Sequence, residues 1–395
     1  MGANDDREWA RALRIGLVTY VGSRLLVLLG VGLVAIARTQ EDARNGLNRL
    51  PTSRHIREVL SAWDGYWYLD IVRDGYPTSV PPGVTYFMPE ARAAFFPIFP
   101  TIVRALDVVV PGGPATAAIV VNLVLGFGVI ALIGLLAREL WNVRVATTAM
   151  VLVAVFPGSF VLSMTYSEAT MMLFAAGTLL ALVRQRWWLA ALLGVLTTAT
   201  RPNGVAIVLA GCACVWIARR DRAVRWRALA ATAVMPIGFI AVIAYIGSVA
   251  GERWVWFRVQ REAWDEGLSF GWSTLRFVAE WLVAPLGSPT RALTAASVVV
   301  IVTGLVAMRR TRTHPALVAY TVGVVALMLS PATVTARPRF VITAFGLLLA
   351  SAAWWENHGP SDPARRRNVE LVVIATSAAG LVTVTAIYGL LGAIP

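Results

Sequence analysis

Apolar residues in this chain do not alternate with polar ones; they come in long blocks. The first block runs from Ile15 to Ala37 with Arg24 as its only charge. Further blocks fall at roughly 115–137, 145–162, 166–183, 187–200, 203–218, 228–249, 291–308, 315–331, 340–355 and 369–391. About 20 apolar residues make one bilayer-crossing helix. The pattern therefore predicts an all-α polytopic membrane protein of about eleven spans, folded as one integral domain over residues 1–395. Segments 94–110 and 274–286 are apolar but short or charged, and are expected to be re-entrant or interfacial. The longest polar stretch, Arg38 to Arg92, follows the first block. With segment 94–110 it forms a large first outer loop, 38–110, and a second outer loop is expected at 250–273.

Composition narrows the class. Of the 395 residues 57% are hydrophobic and 14% charged, against roughly 25% charged in a soluble domain. Mean hydropathy is +0.68. A soluble globular protein, a disordered chain and a disulfide-stapled secreted domain are excluded. An Ala-x-Ala at the end of the first block imitates a signal-peptidase site, but the block is long and holds Arg24, so it reads as an uncleaved span. Cys212 and Cys214 stand two apart in one apolar run, cannot pair within a helix, and read as packing residues. No zinc or other metal site is expected.

Charge sets the expected orientation. All 35 basic residues are Arg, a usage that fits a GC-rich bacterial genome. A net charge of +13 would suggest nucleic acid in a soluble protein; here it fits the positive-inside rule, and no nucleic-acid partner is expected. With the N-terminus in the cytoplasm, the short loops 138–144, 184–188, 219–227, 309–314 and 356–368 are cytoplasmic. They carry 15 Arg and few acids. The first and second outer loops, Arg201-Pro202-Asn203 and Ala332 to Arg339 then share the opposite side. The predicted setting is a bacterial plasma membrane with an extracytoplasmic site.

The candidate chemistry lies on that outer side. On a helix at about 100° per residue, Asp64 shares a face with Leu60, Trp67, Tyr68 and Ile71, while Arg73 points away. A carboxylate on an apolar, aromatic face needs a partner, a raised pKa or a job; the alternative is an Asp that caps the helix start. Glu90 precedes Pro97 and Pro100, which are expected to break any helix and turn the chain back at the membrane surface; an ordinary interfacial charge is its plainer reading. Glu168 opens a span, where the helix dipole alone could account for it. Arg201 lies in a turn between two apolar runs and needs an anion or water, unless it snorkels. Arg337 and Arg339 flank Pro338 at another outer edge. Together these residues would suit a base and a phosphate clamp around one cavity. Trp254, Trp256, Phe257, Trp264, Phe270 and Trp272 of the second outer loop form an aromatic belt or a surface for a sugar or prenyl chain.

At these residues the chain resembles the PIG-V family, the enzymes that add the second mannose to glycosylphosphatidylinositol anchors. Trp63, Asp64, Tyr68, Ile71, Gly75 and Tyr76 match one motif, and Glu90, Ala94, Phe95, Phe96, Pro97 and Pro100 a second. FPGSFVLSMTYSEA, with Tyr166 and Glu168, and TRPNG, with Arg201 and Asn203, resemble two more. The C-terminal half compares only by hydropathy. The resemblance implies a GT-C glycosyltransferase fold and an inverting transfer from a polyprenyl-phosphate sugar, mannose in this family, to an extracytoplasmic hydroxyl. Asp64 would be the base, with Glu90 assisting. Arg201, Arg337 and Arg339 would hold the donor phosphate, and Trp63, Tyr68, Tyr76, Tyr166, Glu168 and Asn203 would position donor or acceptor. No cofactor is implied. The acceptor does not carry over to a bacterium; an envelope glycolipid, glycan or protein takes its place. A lipid or sugar-lipid flippase, or a GT-C enzyme using another lipid-linked sugar, are the alternatives.

Overall fold

The computed structural model describes residues 3–45, 51–333 and 335–390. Residues 46–50 of the first outer loop, Val334 in the 332–339 edge and residue 391 of the last expected span lie outside the described residues. Helix dominates, and among the described residues the sole β pairing is a bridge between Leu268 and Pro331. Helix α1 (Ala3–Arg44) leads to α2 (Thr52–Leu60), α3 (Asp64–Asp74) and α4 (Ile98–Asp107) of the 38–110 loop. The bundle continues through α5 (Pro114–Leu140), α6 (Val143–Val155), α7 (Glu168–Val183), α8 (Trp187–Thr200), α9 (Ile207–Ile217), α10 (Arg222–Val234) and α11 (Ile237–Val249). The 250–273 loop carries α12 (Val255–Ala263), and α13 (Trp272–Val283) follows. Then come α14 (Pro289–Arg310), α15 (Pro315–Leu329), the short α16 (Pro338–Val341), α17 (Gly346–His358) and α18 (Pro363–Gly389).

Local chemistry sets the helix starts. Asn142, Asp221 and Asp362 accept the backbone N–H of Val145, Val224 and Arg365 and so cap α6, α10 and α18, filling donors that a helix start leaves open. Proline opens α5, α14, α15 and α18, where its missing N–H costs nothing. The same rule corrects the expectation for Pro97 and Pro100. They do not end a helix: Pro97 is the N-cap of α4 and Pro100 lies in its first turn.

Six helices are long and apolar enough to cross a membrane, or up to eight when two bent pairs are each taken as one span. The bent pairs are α6 with the 3₁₀ segment Pro157–Ser163, at 75°, and Pro338–Ala344 with α17, at 69°. The other three expected spans correspond to α7, α8 and α15, with 16, 14 and 15 residues. At 1.5 Å per residue these reach only about 21–24 Å, short of a core of about 30 Å. Helix α1 also continues into the polar stretch, from Arg38 to Arg44.

Side-chain contacts sort the loops onto two ends. Arg138 pairs with Asp5 at 2.6 Å, Arg184 with Glu139 at 2.7 Å and Arg366 with Glu356 at 2.6 Å. Thr148 donates to Glu356. At the other end Arg258 of α12 reaches the carbonyls of Val80 and Pro81, and Glu262 accepts the N–H groups of Gly83 and Val84. Arg258 also pairs with Glu252 and Glu262, and its hydrogen bond holds the Glu252 carboxyl below the usual range. This clasp ties the 38–110 and 250–273 loops together.

One buried cation organises the middle of the bundle. Arg24 of α1 is 5% exposed and, among the described residues, meets no carboxylate. Its guanidinium donates to the Ser159 carbonyl at 2.6 Å, Ser159 Oγ at 2.8 Å and Ser163 Oγ at 3.0 Å, and stands 4.9 Å from the Tyr20 ring centre. These acceptors all belong to Pro157–Ser163, where the helix is broken. A backbone that leaves the α-helix within a bundle must find other partners, and Arg24 supplies them. Arg24→Leu should therefore lower stability by about 2–4 kcal/mol, the scale of charged hydrogen bonds lost and a carbonyl left unpaired. Arg24→Lys should fall between. Melting curves of the purified variants that overlay the wild type would show that the guanidinium does not hold the break.

Candidate active site

The chain enters the site through a strained turn. Trp63, between α2 and α3, has φ +57° and ψ −121°, a conformation that costs a non-glycine residue of order 1–3 kcal/mol. Surrounding groups hold it there. Tyr388 of α18 donates its hydroxyl to the Ala62 carbonyl at 2.7 Å, and the Trp63 indole donates to the Tyr388 carbonyl at 3.3 Å. The Tyr166 hydroxyl accepts from the Asp64 N–H at 3.3 Å. From below, Asn122 of α5 donates to the carbonyls of Met164 and Tyr166.

Asp64 is the first residue of α3. Its carboxylate does not cap that helix; Oδ2 accepts Arg339 Nη1 at 3.0 Å. Arg339, in α16, is buried, with its guanidinium 4.4 Å from the Phe340 ring and 5.6 Å from that of Tyr166. A second pair lies beside the first. Glu168, the first residue of α7, is fully buried, and its Oε2 stands 2.9 Å from Arg201 Nη1. Arg201 also donates to Ser167 Oγ at 3.0 Å, and that hydroxyl is 2.6 Å from the Tyr68 hydroxyl. Burial pushes the Tyr68 phenol up to about 12, so it stays protonated at neutral pH. Two carboxylates and two guanidinium groups thus share one region with zero net charge.

The other sequence candidates are placed less centrally. Asn203 bonds weakly to Thr343 at 3.5 Å and so ties the Arg201 turn to the chain after Arg339. Arg337 is half-buried one residue before α16. Tyr76 donates to the Phe95 carbonyl at 2.6 Å and packs edge-on against Tyr245; it braces the loop. Glu90, on the 3₁₀ segment Pro89–Ala94, is half-exposed and has no hydrogen bond or ion pair among the described residues. The structure does not join it to Asp64. Among the described residues no three His, Cys, Asp or Glu side chains converge to hold a metal ion.

The 250–273 loop divides its aromatic residues. Trp264 joins Trp67, Tyr86 and Phe95 in an aromatic cluster with ring centres 5.5–6.4 Å apart, edge-to-face except for the stacked pair Trp67–Phe95. Trp256 is buried and donates to the Ala94 carbonyl. Trp254, Phe257, Phe270 and Trp272 are exposed. Sequence reasoning missed Tyr388, Tyr86 and Ser167. Ser167 lay inside a motif already quoted; Tyr388 gave no signal beyond a lone phenol near the end of an apolar run.

A profile of the family described as Mannosyltransferase (PIG-V) matches residues 14–249. The chain belongs to this family. The match contains Asp64, Glu168 and Arg201, while Arg339 lies beyond it. Among curated proteins no significant match is found. Solved structures resemble this PIG-V family member at low identity. The oligosaccharyltransferase of Archaeoglobus fulgidus, in a complex with zinc and sulfate, gives a TM-score of 0.53 at 13% identity over 91% of this chain and 53% of its own. Its apo form gives 0.50 at 13% identity, over 92% and 56%. The PIG-V family member thus spans about half the length of that enzyme. ArnT from Cupriavidus metallidurans bound to undecaprenyl phosphate gives 0.49 at 13% identity, over 82% and 71%. The shared fold is GT-C, and the family member is a multi-pass membrane glycosyltransferase.

The turn that presents Asp64 depends on a close approach at Gly65. A Cβ there would strike Thr165 Oγ1, and Thr165 is fully buried. Gly65→Ala should therefore displace Asp64 and cut transfer at least tenfold, since small misplacements of a reacting group are costly. Thr165→Ala on the same chain should restore most of it. Equal transfer by Gly65→Ala and the double variant would remove this contact from the account.

Proposed function

We propose that this PIG-V family member moves a mannosyl residue from a polyprenyl-phosphate donor to an acceptor hydroxyl outside the cytoplasm, with inversion. The observation that supports the reading best is the Asp64 carboxylate held at the start of α3 by Arg339 and flanked by Glu168 and Arg201. In this reading the acceptor oxygen attacks the anomeric carbon and the bond from that carbon to the phosphate oxygen breaks. The phosphate leaves on its lipid, and Asp64 takes the acceptor proton. Arg339 orients the Asp64 carboxylate before the acceptor arrives. Arg201 and Arg337, with Arg339, would meet the charge gathering on the leaving phosphate, a task suited to the guanidinium fork. Arg201 could do so only while sharing its charge with Glu168. Glu90 would act from the loop, on the acceptor. The acceptor itself is proposed as a cell-envelope glycolipid, glycan or protein of a bacterium.

Two experiments test this. Asp64→Asn keeps size and most hydrogen bonding but cannot take a proton. Transfer should fall by roughly 10²–10⁴-fold while donor lipid still binds. A folded Asp64→Asn protein that binds donor and turns over near the wild-type rate would end the assignment. For orientation, single cysteines at Arg44 and Asp265 should react with a membrane-impermeant thiol reagent in intact cells, and cysteines at Asp221 and Arg310 should not. The reverse pattern would put the site in the cytosol and point to a nucleotide-sugar donor.

A further inference from the structure

A cavity of about 960 Å³ opens between α6, α14, α17 and the first half of α18. Its rim includes Thr148, Arg310 and Glu370, at the end of the bundle opposite Asp64. Its walls are apolar and include Val151, Leu152, Val302, Val306, Leu348 and Val373. Several of these are surface residues: Val302 and Val306 of α14 are about half exposed and Val373 of α18 is 43% exposed. The reason lies in α18. Its buried residues all fall from Leu381 onward, so the first half stands off the bundle and leaves a wedge open to the bilayer. A clasp closes that half at its start: Arg366 pairs with Glu356 and with Glu370, and the Trp355 indole donates to Glu370 at 3.0 Å.

The clasp also decides the charge of the rim. Glu356 and Glu370 share the single guanidinium of Arg366, which leaves the clasp one net negative charge against the three positive charges of Arg309, Arg310 and Arg312 at and just beyond the end of α14. Arg310 is exposed and has no carboxylate partner among the described residues, and Arg309 and Arg312 adjoin it in sequence. Trp354 and Trp355 supply the indoles typical of a bilayer interface. An apolar wedge between spans with an uncompensated guanidinium at its interfacial mouth matches a lipid in both its parts.

We propose that this cavity seats a phospholipid with an anionic headgroup. The phosphate stands against Arg310, and the acyl chains run along Val302 and Val306 toward Phe156 and Pro157, which line the inner wall. A zwitterionic lipid fits the walls equally but brings its own cation to Arg310, so the headgroup sets the preference. The proposal is independent of the transfer reaction, and its test needs no substrate.

The full chain in detergent is offered equimolar phosphatidylglycerol and phosphatidylcholine, and retained lipid is read by native mass spectrometry. Wild type should keep phosphatidylglycerol over phosphatidylcholine by about fivefold, the weight of one basic residue against an anionic headgroup. Arg310→Gln should abolish the preference. Val306→Trp, which fills the wedge from an exposed position, should lower retention of both lipids. Equal retention of the two lipids by wild type overturns the proposal, as does an undiminished preference in Arg310→Gln. Wild-type retention by Val306→Trp would place the lipid outside the cavity and overturn it too. Melting temperatures of the lipid-free variants, expected to equal that of wild type, separate lost binding from lost folding.

Discussion

Four charges gathered in a water-poor end of a helical bundle impose the constraint on which the rest depends. Asp64, Glu168, Arg201 and Arg339 are each expensive to bury alone, and each is stable there only because its partner is within 3.0 Å. At an effective dielectric of about 20, a pair about 4 Å apart gains roughly 4 kcal/mol, and removing one member leaves the other uncompensated. All four occupy helix ends. Asp64 and Glu168 begin α3 and α7, where the dipole favours a carboxylate, and Arg201 closes α8, where it favours a cation. Arg339 lies at the start of α16, against its preference, and Asp64 offsets that cost.

This constraint accounts for the broken helices. An unbroken helix would run straight through Phe156 and Phe345, which separate α6 from the segment leading to Glu168 and the Arg339 segment from α17. The chain instead bends by 75° and 69°, and the two breaks lean on one another. Gly158 of the first break lies so close to the Pro338 backbone that a Cβ would strike it. Arg24, donating to Ser159 and Ser163, does for the first break what the ladder of an intact helix would otherwise do.

Much of this was legible in the sequence. Hydropathy located every long helix because the bilayer demands a minimum apolar length, and Asp64 stood out because a carboxylate on an aromatic face needs a reason. Helix ends at α6 and α9 were less legible: the blocks 145–162 and 203–218 run through the 3₁₀ segments Pro157–Ser163 and Pro202–Ala206, and an apolar block does not reveal where backbone hydrogen bonding changes from α to 3₁₀. Pairing was the least legible. Asp64 and Arg339 lie 275 positions apart, and motif spacing carries no information across such a distance. Glu90 shows the same limit at short range: its segment, Pro89–Ala94, packs on both α12 and α3, and Arg92 donates to the Gly75 carbonyl at the end of α3, none of which motif order reveals.

The hydrogen bonds from Tyr388 also set an order in time. The Ala62 carbonyl, which fixes the turn before Asp64, waits for a phenol 326 positions later in the chain. At synthesis rates of about 5–20 residues per second, the turn is without this partner for roughly 15–65 s. During that interval the 38–110 loop is already made, but the strained backbone at Trp63 lacks the Tyr388 groups that help hold it. A nascent chain arrested before α18 would thus present the loop without its final lock, so that glycosyl transfer begins only once almost the whole bundle has been inserted.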